Sequence, residues 1–113
     1  MIDDISAQYE YFYNLPFPEM AGMVGDFLLY DGLLAGIVDS YIHGVPVVLD
    51  DIPTPDEGTI EAVSALRQKP FRTQEEQSFL QYFDALGALR ASLEEALQPK
   101  HPTSRNGEGA LNL

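Results

Sequence analysis

Apolar positions recur along this chain with a helical rather than a strand period. In the run from Glu19 to His43, EMAGMVGDFLLYDGLLAGIVDSYIH, the residues Met20, Val24, Phe27, Asp31, Leu34, Val38 and Tyr41 fall on one stripe with alternating four- and three-residue steps. Leu28, Ala35 and Ile42 widen it on one side, and Met23, Tyr30 and Ile37 on the other. No proline interrupts the run, so the spacing predicts one long helix over about 19–43. A second stripe, Phe79, Phe83, Leu86, Arg90, Leu93 and Leu97, predicts another over about 73–97. The capping box Thr73-Gln74-Glu75-Glu76 opens that helix, and Pro99 and Pro102 stop it.

Shorter elements fill the rest. Thr54-Pro55-Asp56-Glu57 reads as a helix start, with Thr54 as N-cap and Pro55 at the first helical position. Ile60, Val63 and Leu66 then face a core, and Pro70 closes a helix of about 55–69. Ile2, Ile5, Tyr9 and Phe12 follow helical spacing, although Tyr9, Tyr11 and Tyr13 also alternate as in an extended arm; Pro16 and Pro18 end either form. Gly44 suits the left-handed position after a helix end. Val45 to Ile52, VPVVLDDI, reads as an extended connector or a lone strand with no second strand in the chain to pair with. The expected fold is all-α: a small helical bundle built on two long antiparallel helices (19–43 and 73–97), with a shorter helix (55–69) and an N-terminal helix as a further element. It is expected to form a single domain over 1–98, with an aromatic, acidic arm at 1–17 and a polar, disordered tail over 99–113.

Two features depart from a plain bundle. Asp31 and Arg90 each stand in the middle of a core stripe, with opposite signs. A charge buried without a partner is strongly disfavoured, so the pattern predicts an Asp31–Arg90 ion pair that fixes helix register, within one chain or across a dimer. The alternative is that both side chains reach the edge of the seam and stay hydrated. On the opposite side of the first stripe gather Gly22, Gly25, Gly32 and Gly36, each about 0.8–1 kcal/mol worse than alanine in a helix interior. Either they let another helix approach closely, or they mark a break near Gly25 or Gly32. With Leu29 and Leu33 beside them, Gly25, Gly32 and Gly36 point to a homodimer face.

Charge narrows the partner. The net charge is −12, and residues 1–66 contain acids but no Lys or Arg, while 67–113 is formally neutral. Direct nucleic-acid binding is excluded on that balance, because phosphate contacts need clustered cations. The acids within the apolar run, and the lack of flanking cations, argue against a membrane span. An acidic start, MIDDISAQ, is unlike a secretory leader, so a cytoplasmic setting is expected. With no cysteine, thiolate chemistry and disulfides are out.

No catalytic signature emerges. His43 and His101 have no metal-ligand spacing, and His43, beside a helix end, reads as a capping or surface residue. The pairs Asp26/Asp39 and Asp50/Asp51 lack a calcium-loop pattern, and no phosphate-cradling glycine loop or G-x-S-x-G is present. No catalytic residue, metal or cofactor is therefore expected. The expected function is a non-enzymatic interaction module (adaptor, assembly chaperone or inhibitor) that binds a basic or apolar surface of another protein. Tyr11, Tyr13, Phe17, Asp50, Asp51, Asp56 and Glu57, with the glycine–leucine face, are the candidate contacts. A DNA-mimicking, nuclease-blocking inhibitor is the alternative, and a small enzyme of unknown type a further one.

Overall fold

A computed structural model describes residues 4–98; the expected disordered tail, 99–113, lies outside them. The described chain is all-helical, as the hydrophobic period requires: α1 (Asp4–Tyr13), α2 (Phe27–Ile42), α3 (Glu57–Gln68) and α4 (Gln74–Leu97). Short 3-10 turns stand at Glu19–Met23 and Leu49–Asp51. Val45–Ile52 therefore forms no strand; it is a connector folded around the second of these turns. None of the described helices is long and apolar enough to cross a membrane.

The core follows from the two stripes. Phe27, Leu34 and Val38 of α2 and Phe79, Leu86, Leu89 and Leu93 of α4 are completely buried. Tyr82 and Leu80 are buried as well, so α4 is covered on more of its circumference than the single stripe through Phe83 and Arg90 predicts. The cause is that α4 packs on α1, α2, α3 and the first 3-10 turn. Phe27 sits among Phe79, Tyr82 and Phe83, its ring centroid 5.0 Å from that of Phe79 in an edge-on arrangement.

The two long helices run parallel, not antiparallel. Phe27, at the start of α2, rests on the first turns of α4, and Tyr30 reaches forward to Arg90. Helix α1 fixes the direction independently. It is antiparallel to α4, with Phe12 on Tyr82 and Gln8 bonded to Ser92, and it also faces Ala35–Ile42 of α2. The chain can do this because residues 43–56 run back along α2: fourteen residues reach about 46 Å, against a helix of about 24 Å. That return places the start of α3 against the start of α2.

This contact also breaks the expected 19–43 helix. Gly25 has a left-handed φ of +46°, and Val24 is extended. Asp56 caps α3 by accepting the Thr59 N–H, and it also accepts the Asp26 N–H at 3.1 Å. The Thr59 hydroxyl is shared between Asp56 and the Val24 carbonyl. A β-carbon on Gly25 would lie 2.9 Å from both Asp56 Oδ2 and the Thr59 nitrogen, so only glycine fits. The N-cap of α3 is thus Asp56 rather than Thr54, and Pro55 precedes the helix.

Other ends match their local chemistry. Thr73 and Glu76 form the reciprocal capping box. Gly44, at φ +82°, closes α2: Val45 N–H donates to Ser40 O and Gly44 N–H to Tyr41 O, the paired bonds of a Schellman motif.

Candidate functional site

Helix α2 has more apolar surface than the fold covers. Its inner side holds Phe27, Tyr30, Leu34 and Val38, and the flank toward α1 holds Asp31, Ala35 and Ile42. By the 100° step, Leu28, Leu29, Gly32, Leu33, Gly36 and Asp39 then point outward. Leu29 remains 63% exposed and Leu33 50%, and a β-carbon on Gly32 or Gly36 would meet no atom within 4 Å. Gly25, expected on the same dimer face, is instead closed off by the α3 cap.

Between α1 and α2 lies an open groove of about 580 Å³. Gly36 and Ala35 form its floor, Tyr9 and Tyr13 its aromatic wall, and Glu10 and Asp39 its acidic edges. Phe12, its ring 6.4 Å from that of Tyr9, points into the core; Tyr9 lies partly against the core as well, and Tyr13, one turn on from Tyr9, is left exposed on the groove side. Burial, followed by the nearby Asp39 charge, raises the Tyr9 pKa, so its ring stays neutral. His43 turns back on Asp39, its Nδ1 2.8 Å from the Asp39 carbonyl oxygen, and so acts as an end cap.

The remaining candidates are dispersed. Tyr11 and Phe17 are exposed, but they lie toward α4: the Tyr11 hydroxyl accepts from Gln81, and Phe17 stands edge-on to Tyr82. Asp50, Asp51 and Glu57 are exposed on the connector and at the start of α3. Asp56 is used inside the fold, where hydrogen bonds from the Thr59 hydroxyl and from backbone N–H groups hold its carboxyl below the usual range. Tyr9, Glu10 and Asp39 were not among the contact candidates read from sequence; the signal available was the i, i+4 spacing of Tyr9 and Tyr13.

The predicted Asp31–Arg90 pair does not form. Asp31 accepts a hydrogen bond from the Tyr82 hydroxyl at 2.9 Å, and Arg90 donates to the Tyr30 hydroxyl at 3.0 Å. Each seam charge meets a phenol from the facing helix instead of the opposite charge. The reason is the parallel register: Asp31 is level with Tyr82, eight residues or about 12 Å along α4 before Arg90, and Arg90 meets the long side chain of Tyr30 instead. Asp31 is half-buried, which raises its pKa, and the Tyr82 bond offsets part of that rise. Burial and then Asp31 push the Tyr82 phenol well up, so it stays a donor. Arg90 Nε is buried with no hydrogen-bond partner, the nearest carboxylate being that of Glu94 at 3.9 Å.

A second groove, about 560 Å³, lies between α3 and α4 and is lined by Ile60, Val63, Phe83, Arg67 and Arg90. Arg67 is held there by Asp84. Among the described residues no three His, Asp or Glu side chains gather into a group able to hold a metal ion. The surface along α1 and α2 is apolar and aromatic, edged by carboxylates. Comparison with protein-family models, curated proteins and solved structures found no match to this chain.

Proposed function

We propose that the chain is a non-enzymatic protein–protein interaction module, an adaptor, assembly chaperone or inhibitor, and that its contact surface is the outer face of α2 with the adjoining α1–α2 groove. The observation that carries this reading is the uncovered row Leu28, Leu29 and Leu33 beside open glycines. Exposed apolar residues that are contiguous, rather than scattered, mark interaction surfaces. Covering the still-exposed half of each leucine would contribute about 1 kcal/mol apiece. The glycines let a partner backbone come close, and the edging acids favour a partner with Lys or Arg flanking its apolar contact residues.

The test is capture from the native source on immobilised wild-type chain and on a Leu29→Asp, Leu33→Asp double variant. Both positions are exposed, so the variant keeps its fold, to be checked by circular dichroism. The reading requires a protein held by wild type and lost by the variant. An identical set of captured proteins from both would refute it. Retention at high salt would assign the binding to the leucines, and loss at moderate salt to the acids.

A further inference from the structure

The turn between α3 and α4 carries the most exposed large hydrophobic residue described, Phe71, at 86%. It stands in the sequence Lys69-Pro70-Phe71-Arg72, two residues after Arg67, the first cation of the chain. The turn is held firmly. Arg72 Nε donates to Gln77 at 2.7 Å and its Nη1 to the Leu66 carbonyl at 3.0 Å, while Lys69 pairs with Glu76 at 2.6 Å. A ring presented on such a turn docks with little loss of conformational freedom.

We propose that the chain associates with itself head to tail, Phe71 of one copy seating in the α1–α2 groove of the next. The groove is large enough for a phenyl ring, is walled by Tyr9 and Tyr13 and has no side chain at Gly36. Charge selects this arrangement over a two-fold one. Groove against groove would set Glu10 and Asp39 against their own copies, with no Lys or Arg anywhere in residues 1–66 to relieve them. Turn into groove brings toward those acids the Arg72 guanidinium, whose own partners (Gln77 and the Leu66 and Arg67 carbonyls) are all uncharged. The two features cannot meet within one copy. Among the described residues the groove is lined by α1 and α2 alone, and no residue of the α3–α4 turn reaches it. Such a contact uses two different surfaces, so it propagates into chains or closes into rings instead of stopping at two.

This inference shares a groove with the proposed partner site but does not rest on it, because purified protein alone tests it. Sedimentation velocity over a concentration series of the full chain gives a mass that rises above 12.5 kDa. Phe71→Asp and Gly36→Leu each hold the protein at the monomer. Neither threatens the fold, as Phe71 is exposed and a side chain at Gly36 enters open space. An equimolar mixture of the two variants gives a dimer and nothing larger, since it contains one intact turn and one intact groove per pair. Wild type that stays monomeric, a mixture that stays monomeric, or Phe71→Asp that assembles like wild type overturns the proposal. The first of these results leaves partner capture through Leu29 and Leu33 untouched, and failed capture leaves self-association standing.

Discussion

Replacing Gly25 with alanine tests whether the packing of α3, rather than local preference, breaks the chain ahead of α2. Two penalties add. A residue with a β-carbon at φ +46° costs about 1–2 kcal/mol. The new methyl also lands 2.9 Å from the Thr59 nitrogen and Asp56 Oδ2, so the start of α3 has to shift, which adds about 1–3 kcal/mol as in other overpacked sites. The expected loss is about 2–5 kcal/mol, or at least about 8 °C in Tm for a domain of this size. Urea unfolding followed by circular dichroism measures it. Gly44→Ala is the control: its φ is +82°, but no atom lies within 4 Å, so only the conformational penalty of about 1–2 kcal/mol applies. If Gly25→Ala loses no more than Gly44→Ala, the α3 contact does not shape this segment and the reasoning fails.

Gly32→Ala has the opposite sign: mid-helix with open space around it, it gains about 0.8–1 kcal/mol in the same urea assay, and a loss would show that the face is not open. Asp31→Asn keeps an acceptor for Tyr82 and removes a carboxylate whose pKa burial has raised. A raised acid binds its proton more tightly in the folded state, so its contribution is full below the unfolded pKa of about 3.9 and fades as pH rises through the folded value. The Asn variant is therefore the more stable relative to wild type at pH 7, and this advantage shrinks on acidification toward pH 4; an advantage that grows on acidification contradicts the assignment. Tyr82→Phe takes the hydroxyl from Asp31 and costs about 1–3 kcal/mol at pH 7, a loss that the Asp31→Asn background reduces in a double-mutant cycle. Thr73→Ala opens the α4 capping box at a cost of about 0.5–2 kcal/mol in urea unfolding.

What could be read from sequence was what adjacent residues decide among themselves. The Thr73–Glu76 box and the Gly44 helix end depend on atoms within a few positions, and both form as read. The stripes Phe27–Leu34–Val38 and Phe79–Leu86–Leu93 were legible because helical period alone aligns them. The break at Gly25 was only half legible. A glycine there permits a left-handed turn, but the carboxylate that demands it arrives from position 56. Asp31 and Arg90 were correctly singled out as charges in apolar seams, yet their partners depend on helix direction, which the period does not encode. Sequence favoured a direct pair; the parallel register interposes Tyr30 and Tyr82, each able to satisfy a charge without a second one. The groove was illegible for a related reason. Tyr13 belongs with Gly36 only once α1 has turned against α2.

The seating of α1 on α4 joins distant parts of the chain. The Gln8–Ser92 bond spans 84 positions, against 17 for Arg67–Asp84 in the α3–α4 hairpin. Loop-closure entropy makes the longer connection harder to form by about 1.4 kcal/mol. Loop-closure entropy by itself thus favours forming the α3–α4 hairpin before α1 is seated. Tyr9 and Tyr13 ride on that helix, so the groove exists only while α1 is seated. Occupancy and helix order are thus one linked equilibrium. Whatever fills the groove therefore slows amide exchange across residues 4–13.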